Sequence, residues 1–334
     1  MISLSSKWHL ERYNNTREEE WDYFIDKSSL NSTFLHSRRF LNHNPLNNSD
    51  DFSFMFFKKG KIAACIPAIL IETKGRKVWN SHFRLTYGGL IVSKGVGIED
   101  VMEITRLIEN EMITNRIDEA IVRNTFRVFN RKFCDEFDYS LWKTGFMLKS
   151  REIELGISLI DMKYSDIVDQ YENGNKYNIK KALKTVEIKF SDDFLSFWNL
   201  LEMNLLKRHN QRPVHDFETI TRLKNLLKDG EVKLVAAFEK DIMIGGIILF
   251  NFMDLYLHAQ YIASSFDHQH IRPVNALINY VIKWACENNY HYFNLGTPNE
   301  ENGNIVNFGL SYFKEGFGCR SCLRETMHKL YLYD

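Results

Sequence analysis

The chain has 334 residues, 44% of them apolar and 14% aromatic, enough to fill two cores of ordinary domain size. Lysine plus arginine and aspartate plus glutamate number 43 each, so the formal charge is zero, which argues against a general nucleic-acid binder because that needs a basic face to release counterions. Five prolines and 17 glycines are too few for a disordered or fibrous chain, and five scattered cysteines argue against a disulfide framework. No apolar run reaches the length of a membrane span, and Met1–Trp8 lacks the apolar core of a signal peptide. The expectation is a soluble cytoplasmic protein with no nucleic-acid or membrane partner, acting as a monomer.

In chain order, Glu18–Lys27 reads as a helix with Trp21, Phe24 and Ile25 on one face. Ser53–Lys58 and Ile62–Glu72 are apolar, β-rich runs joined by Lys59-Gly60-Lys61, a hairpin signal. Arg84–Val92 reads as a further strand. Ile98–Asn115 is a helix, with Val101, Ile104, Ile108 and Met112 at helical spacing, and Glu119–Arg123 is another strand. Lys163–Lys189 follows as a basic helical linker, with the domain boundary expected near Leu159–Asp166. Asp193–Arg208 is then an amphipathic helix striped by Phe194, Phe197, Trp198, Leu201 and Leu205. Val232–Glu239 and Met243–Asn251 make a hairpin around Lys240-Asp241, and Leu255–Ser264 is a strand. Pro273–Asn288 is a helix whose proline suits the first turn, and His291–Leu295 is the last strand of the series. Both halves thus run helix, hairpin, strand, polar loop, helix, strand, an order that points to an internal repeat. The expected division is residues 1–160 and 161–334.

Four segments carry a family resemblance: Leu85-Thr-Tyr-Gly-Gly-Leu90; Tyr177-Asn-Ile-Lys-Lys-Ala182 with Val186-Glu-Ile-Lys189; Val232–Ala237 with Ile242–Ile248; and Phe293-Asn-Leu-Gly296 with Tyr312-Phe-Lys-Glu-Gly-Phe-Gly318. In this order, over roughly residues 20–330, they resemble the tandem GNAT-fold, Fem-like acyltransferases, and among them bacterial nucleotide-sugar N-acyltransferases. The resemblance implies an α/β fold of two tandem GNAT-like domains, each a mixed, mostly antiparallel sheet flanked by helices. The first domain would be degenerate and help to close the acceptor site; the second would carry acyl-CoA. The implied reaction moves a short acyl group, acetyl or 3-hydroxybutanoyl, from coenzyme A to a nucleotide-linked amino sugar, a dTDP-3-amino-3,6-dideoxyhexose, for surface-polysaccharide synthesis, with no metal.

Site roles follow from the same resemblance. The thioester arm would run past Gln260, Tyr261 and Ile262 towards Asn294, its carbonyl polarised by a backbone N–H. Tyr312 would protonate the leaving thiolate; as a residue of an aromatic pair it reads equally as packing. Lys314 would hold a cofactor phosphate. The loop Ser264–Pro273 departs from the pattern, because relatives place glycines there to cradle a pyrophosphate and here Ser264, Ser265 and Arg272 would have to supply the donors. His209 could take the amine proton, with Arg208, Arg212, His215 and Tyr87 on the acceptor. For each histidine, arginine or tyrosine taken singly, an exposed loop or a packed core position reads as the commoner alternative. Cys319 and Cys322 read as ordinary thiols rather than a metal pair. Two other functions stay open: an aminoacyltransferase using aminoacyl-tRNA, and a silent binding module of the same fold.

Overall fold

The computed structural model describes residues 7–42, 51–81, 85–209, 213 and 216–333. The strands are β1 (Trp8–Arg12), β2 (Phe54–Lys58), β3 (Lys61–Ile66), β4 (Ile69–Thr73), β5 (Arg76–Ser81), β6 (Ile91–Val92), β7 (Glu119–Arg123), β8 (Met147–Ser158), β9 (Glu187–Ser191), β10 (Val232–Glu239), β11 (Ile242–Phe252), β12 (Tyr256–Ser264), β13 (Tyr292–Asn294), β14 (Asn299–Glu300), β15 (Ile305–Val306) and β16 (Arg320–Leu330). The helices are α1 (Glu18–Tyr23), α2 (Arg38–Leu41), α3 (Ile98–Thr114), α4 (Glu136–Lys143), α5 (Tyr164–Asp169), α6 (Asn173–Ala182), α7 (Phe194–His209), α8 (Phe217–Leu226), α9 (Pro273–Glu287) and α10 (Phe308–Glu315).

Two compact units divide the chain, Met1–Glu152 with Leu323–Asp334, and Ile153–Cys322. The cut falls inside β8, ahead of Leu159–Asp166, and the last residues belong with the first unit. In that unit β1-β2-β3-β6 form one sheet and β4-β5-β7-β16 run side by side in another. The run Ile62–Glu72, expected as one strand, is two, because Pro67 has no N–H to give a ladder and the chain breaks there. The expected strand Arg84–Val92 is confined to β6 and a bridge between Gly88 and Asn124; residues 82–84 lie outside the described part.

The second unit orders its strands β8-β13-β12-β11-β10-β9. β11 is buried from Met243 to Phe252, as a central strand covered on both faces must be. Adjacent residues of a strand point to opposite faces. A Cβ on Gly245 would meet Leu277 of α9, and one on Gly246 would meet the Phe197 ring of α7 at 2.7 Å. Gly246 therefore lets α7 press onto one face of β11, whereas at Gly245 the tightest neighbours are Ala263 O and Ser264 of β12, with Leu277 at ordinary contact distance. α9 buries Leu277, Ile278, Val281 and Ala285 of the face that its helical spacing predicts; Val274, expected on the same face, is only partly buried, and Ala276 and Ile282 are buried as well. β12 pairs with β11 along its whole length, with a bulge that leaves Gln260 unpaired between Ala259 and Tyr261.

Candidate active site

β12 and β13 are parallel neighbours over only three pairs, the last being His258 with Asn294. β13 then ends, while β12 continues through Ser264. A cavity of about 650 Å³ occupies the gap so opened. Its walls are Ile262, Ala263 and Ser264 of β12, Leu295 beyond β13, the start of α9 and one face of α10. Most of the lining is apolar; Arg272, Glu300 and Lys314 are the ionisable side chains among the described lining residues.

Lys314 has only 5% of its surface exposed. Its Nζ donates to the carbonyls of Gly296 (2.8 Å) and Thr297 (3.1 Å). Burial pushes its ammonium down to about 8, against the opposing pull of the Glu154 carboxylate. The carbonyls are presented by a turn in which Gly296 takes φ +81, a conformation that glycine adopts without a Cβ clash. Asn294 fixes that turn: its Oδ1 accepts from Gly296 N–H at 2.9 Å and its Nδ2 donates to Glu154 Oε2 at 3.1 Å. Glu154, 1% exposed on β8, thus anchors the loop from below.

The start of α9 forms the other end. Pro273 disfavours the helical region for its predecessor, and Arg272 sits at φ +66. Pro273 has no N–H, and the N–H of Asn275 turns back to Arg272 O at 3.2 Å. The backbone cradle that glycines would provide is absent at this helix start. Side chains stand in its place: the Arg272 guanidinium and Gln269, whose Nε2 is buried without a hydrogen-bond partner. Asn204 of α7 ties Ser264 O to this end of the cavity. The cavity is thus an apolar slot with cationic and amide donors at one end.

Of the sequence-derived candidates, Ile262, Ser264, Arg272 and Lys314 line this cavity. Gln260 and Tyr261 are not among its lining residues: the Tyr261 ring packs edge-on against Trp198 at 5.4 Å, and burial raises its hydroxyl to about 12. Ser265 bonds His268 Nδ1 at 2.8 Å. Asn294 lies behind the wall and acts through the turn it holds. Tyr312, proposed as the thiol acid, is 64% exposed, and its hydroxyl bonds Glu172, which raises its pKa. Helical phase explains this: Leu310, Phe313 and Lys314, at i, i+3 and i+4, share the face on the cavity, and Tyr312 falls off it. Tyr87, proposed to border the acceptor, is 1% exposed inside the first unit. Its hydroxyl meets Thr33 Oγ1 at 3.0 Å and its ring packs on Phe126 and His36. Burial pushes His36 down to about 4, so this cluster is a neutral core. His209 and Arg208 close α7 and their side chains lie outside the described part, as do Arg212 and His215 altogether.

Sequence reasoning missed Glu154, Asn204, Gln269 and Glu300. Two carried a signal: Glu154 is a carboxylate in a strand that otherwise turns apolar, and Asn204 falls on the apolar stripe of α7. Among the described residues no group of three or more His, Cys, Asp or Glu is placed to hold a metal, and no helix is long and apolar enough to cross a membrane.

The splayed parallel pair beside a helix start, together with the mixed, mostly antiparallel sheet between helices, defines a tandem GNAT, Fem-like fold. Solved structures agree with that class. FemX aligns over 97% of this chain and 97% of its own, at TM-score 0.70 and 12% identity. L-PGS from Bacillus licheniformis aligns over 95% and 92%, at 0.56 and 14%. A tandem GNAT protein from the clavulanic acid biosynthesis pathway aligns over 98% and 100%, at 0.55 and 8%. No protein-family model matches the sequence, and a search of curated proteins found no match. At these identities the likeness establishes the fold.

Proposed function

We propose that this chain is an N-acyltransferase that moves a short acyl group, acetyl or 3-hydroxybutanoyl, from acyl-CoA to the amino group of a nucleotide-linked amino sugar. The observation that carries the donor half is the split between β12 and β13, with an apolar cavity along the open edge of Ile262–Ser264. A strand edge freed from its neighbour has backbone donors to offer a thioester arm and its carbonyl. Coenzyme A supplies an activated acyl carbon and a stable leaving thiol. Arg272 and Gln269 would hold the phosphates, and Lys314 would carry positive charge to the opposite end. The amino-sugar acceptor rests on the sequence resemblance alone.

The test is release of free thiol when purified protein meets acetyl-CoA or 3-hydroxybutanoyl-CoA and a panel of nucleotide-linked amino sugars. Acceptor-dependent release is expected; none with any amine would sink the reading. One observation favours a second reading, a silent binding module of the same fold: the glycine-free start of α9, where Pro273 and the bonded Asn275 leave little backbone for a pyrophosphate. That reading requires that coenzyme A give neither heat of binding nor thermal stabilisation.

A further inference from the structure

We propose that Glu300 is the catalytic base, the group that takes the proton from the acceptor amine, an inference that rests on the acyl-transfer reading. An acceptor amine is protonated near neutral pH and must shed a proton to attack. Of the three ionisable side chains on the cavity, the Arg272 guanidinium has no basic lone pair at any working pH. Lys314 donates its Nζ to the carbonyls of Gly296 and Thr297 and is a cation, not a base, while protonated. Glu300 alone of the three is a carboxylate, and it is exposed to solvent, so a proton it accepts has a way out.

The backbone around Glu300 is built to hold it. Glu300 pairs with Ile305 in the small hairpin of β14 and β15. The preceding Asn299 pins the hairpin to β8, its Oδ1 accepting from Ile153 N–H at 2.8 Å, while its own N–H meets Thr297 Oγ1 at 2.9 Å. Asn307, which caps α10, donates from Nδ2 to Glu300 Oε1 at 3.3 Å. The carboxylate is thereby held between the loop carrying the Lys314 carbonyls and the N-terminal end of α10. In the step itself, Glu300 takes one proton from the acceptor ammonium and passes it to water, which frees the nitrogen lone pair. The nitrogen then bonds the thioester carbonyl carbon, the C–S bond breaks, and a second N–H proton passes through water to the departing thiolate. One ammonium and one thioester give one amide, one thiol and one released proton.

The experiment compares wild type, Glu300→Gln, Glu300→Asp and Glu301→Gln by thiol release from acyl-CoA across pH. Glu300→Gln should lower kcat by roughly 10²- to 10⁴-fold near neutral pH, with KM for acyl-CoA within a few fold and the same thermal midpoint. Its rate should climb with pH as the free amine accumulates, and hydroxylamine, neutral at pH 7, should show a smaller loss as acceptor. Glu300→Asp should recover part of the rate, and Glu301→Gln should match wild type. Near-wild-type turnover by Glu300→Gln overturns the proposal, as does a loss equal at every pH and for both acceptors. A wild-type protein that releases no thiol overturns the acyl-transfer reading itself, a result separate from a silent variant beside an active parent.

Discussion

Lys314 holds an ammonium where water barely reaches, and its protonation is therefore a stability term as well as a charge in the cavity. Its folded pKa is depressed to about 8 from the ordinary 10.5. Protonation is thus costlier in the folded state, and the contribution to stability is present above about pH 10.5 and lost as pH falls through about 8. A Lys314→Met variant should lack this slope. The difference in unfolding free energy between wild type and variant should change by on the order of 3 kcal/mol across that window, as followed by denaturant midpoints. A difference flat with pH would contradict the burial of this amine. The Tyr312-Phe-Lys314 triplet also marks what a sequence can and cannot say at this scale. It named the right turn of helix, but only the phase of α10 decides that Lys314 faces the cavity and Tyr312 faces Glu172. Tyr87 failed for a related reason. A Tyr-Gly-Gly string looks the same whether its ring lines a pocket or, as here, fills a core with Phe126 and His36.

β11 is the central strand on which β12 pairs and α7 and α9 pack, and those three elements contribute residues to the cavity wall. The hairpin β10–β11 and the helix α9 were legible, because apolar runs broken by Lys240-Asp241 and a stripe at helical spacing are local signals. β8 and β16 were not: each is partly exposed, mixes charge with apolar residues, and is fixed by partners far along the chain, as Thr326 is by Arg123. Gly246 tests the packing directly. Because an added Cβ would lie 2.7 Å from the fully buried Phe197 ring, Gly246→Ala should destabilise by roughly 1–3 kcal/mol. In a Phe197→Leu background the same change should cost less, a coupling that denaturant titration of the double-mutant cycle measures. Equal costs in both backgrounds would mean that α7 does not sit on β11 through this glycine.

At the scale of the molecule, the repeated order of elements announced two units. It did not announce that Leu323–Asp334 would belong with the first, since that depends on β16 finding β7. The site was half legible: the strand ends and the residues after them pointed to the cavity, whereas Glu154, Gln269 and Glu300 depend on contacts that no local pattern carries. If the gap between β12 and β13 seats a thioester arm, a crystal structure with coenzyme A bound will show the pantetheine arm along Ile262–Ser264 opposite Leu295, with phosphates at Arg272 and Gln269. Coenzyme A bound elsewhere, or no binding at saturating concentration, would contradict it.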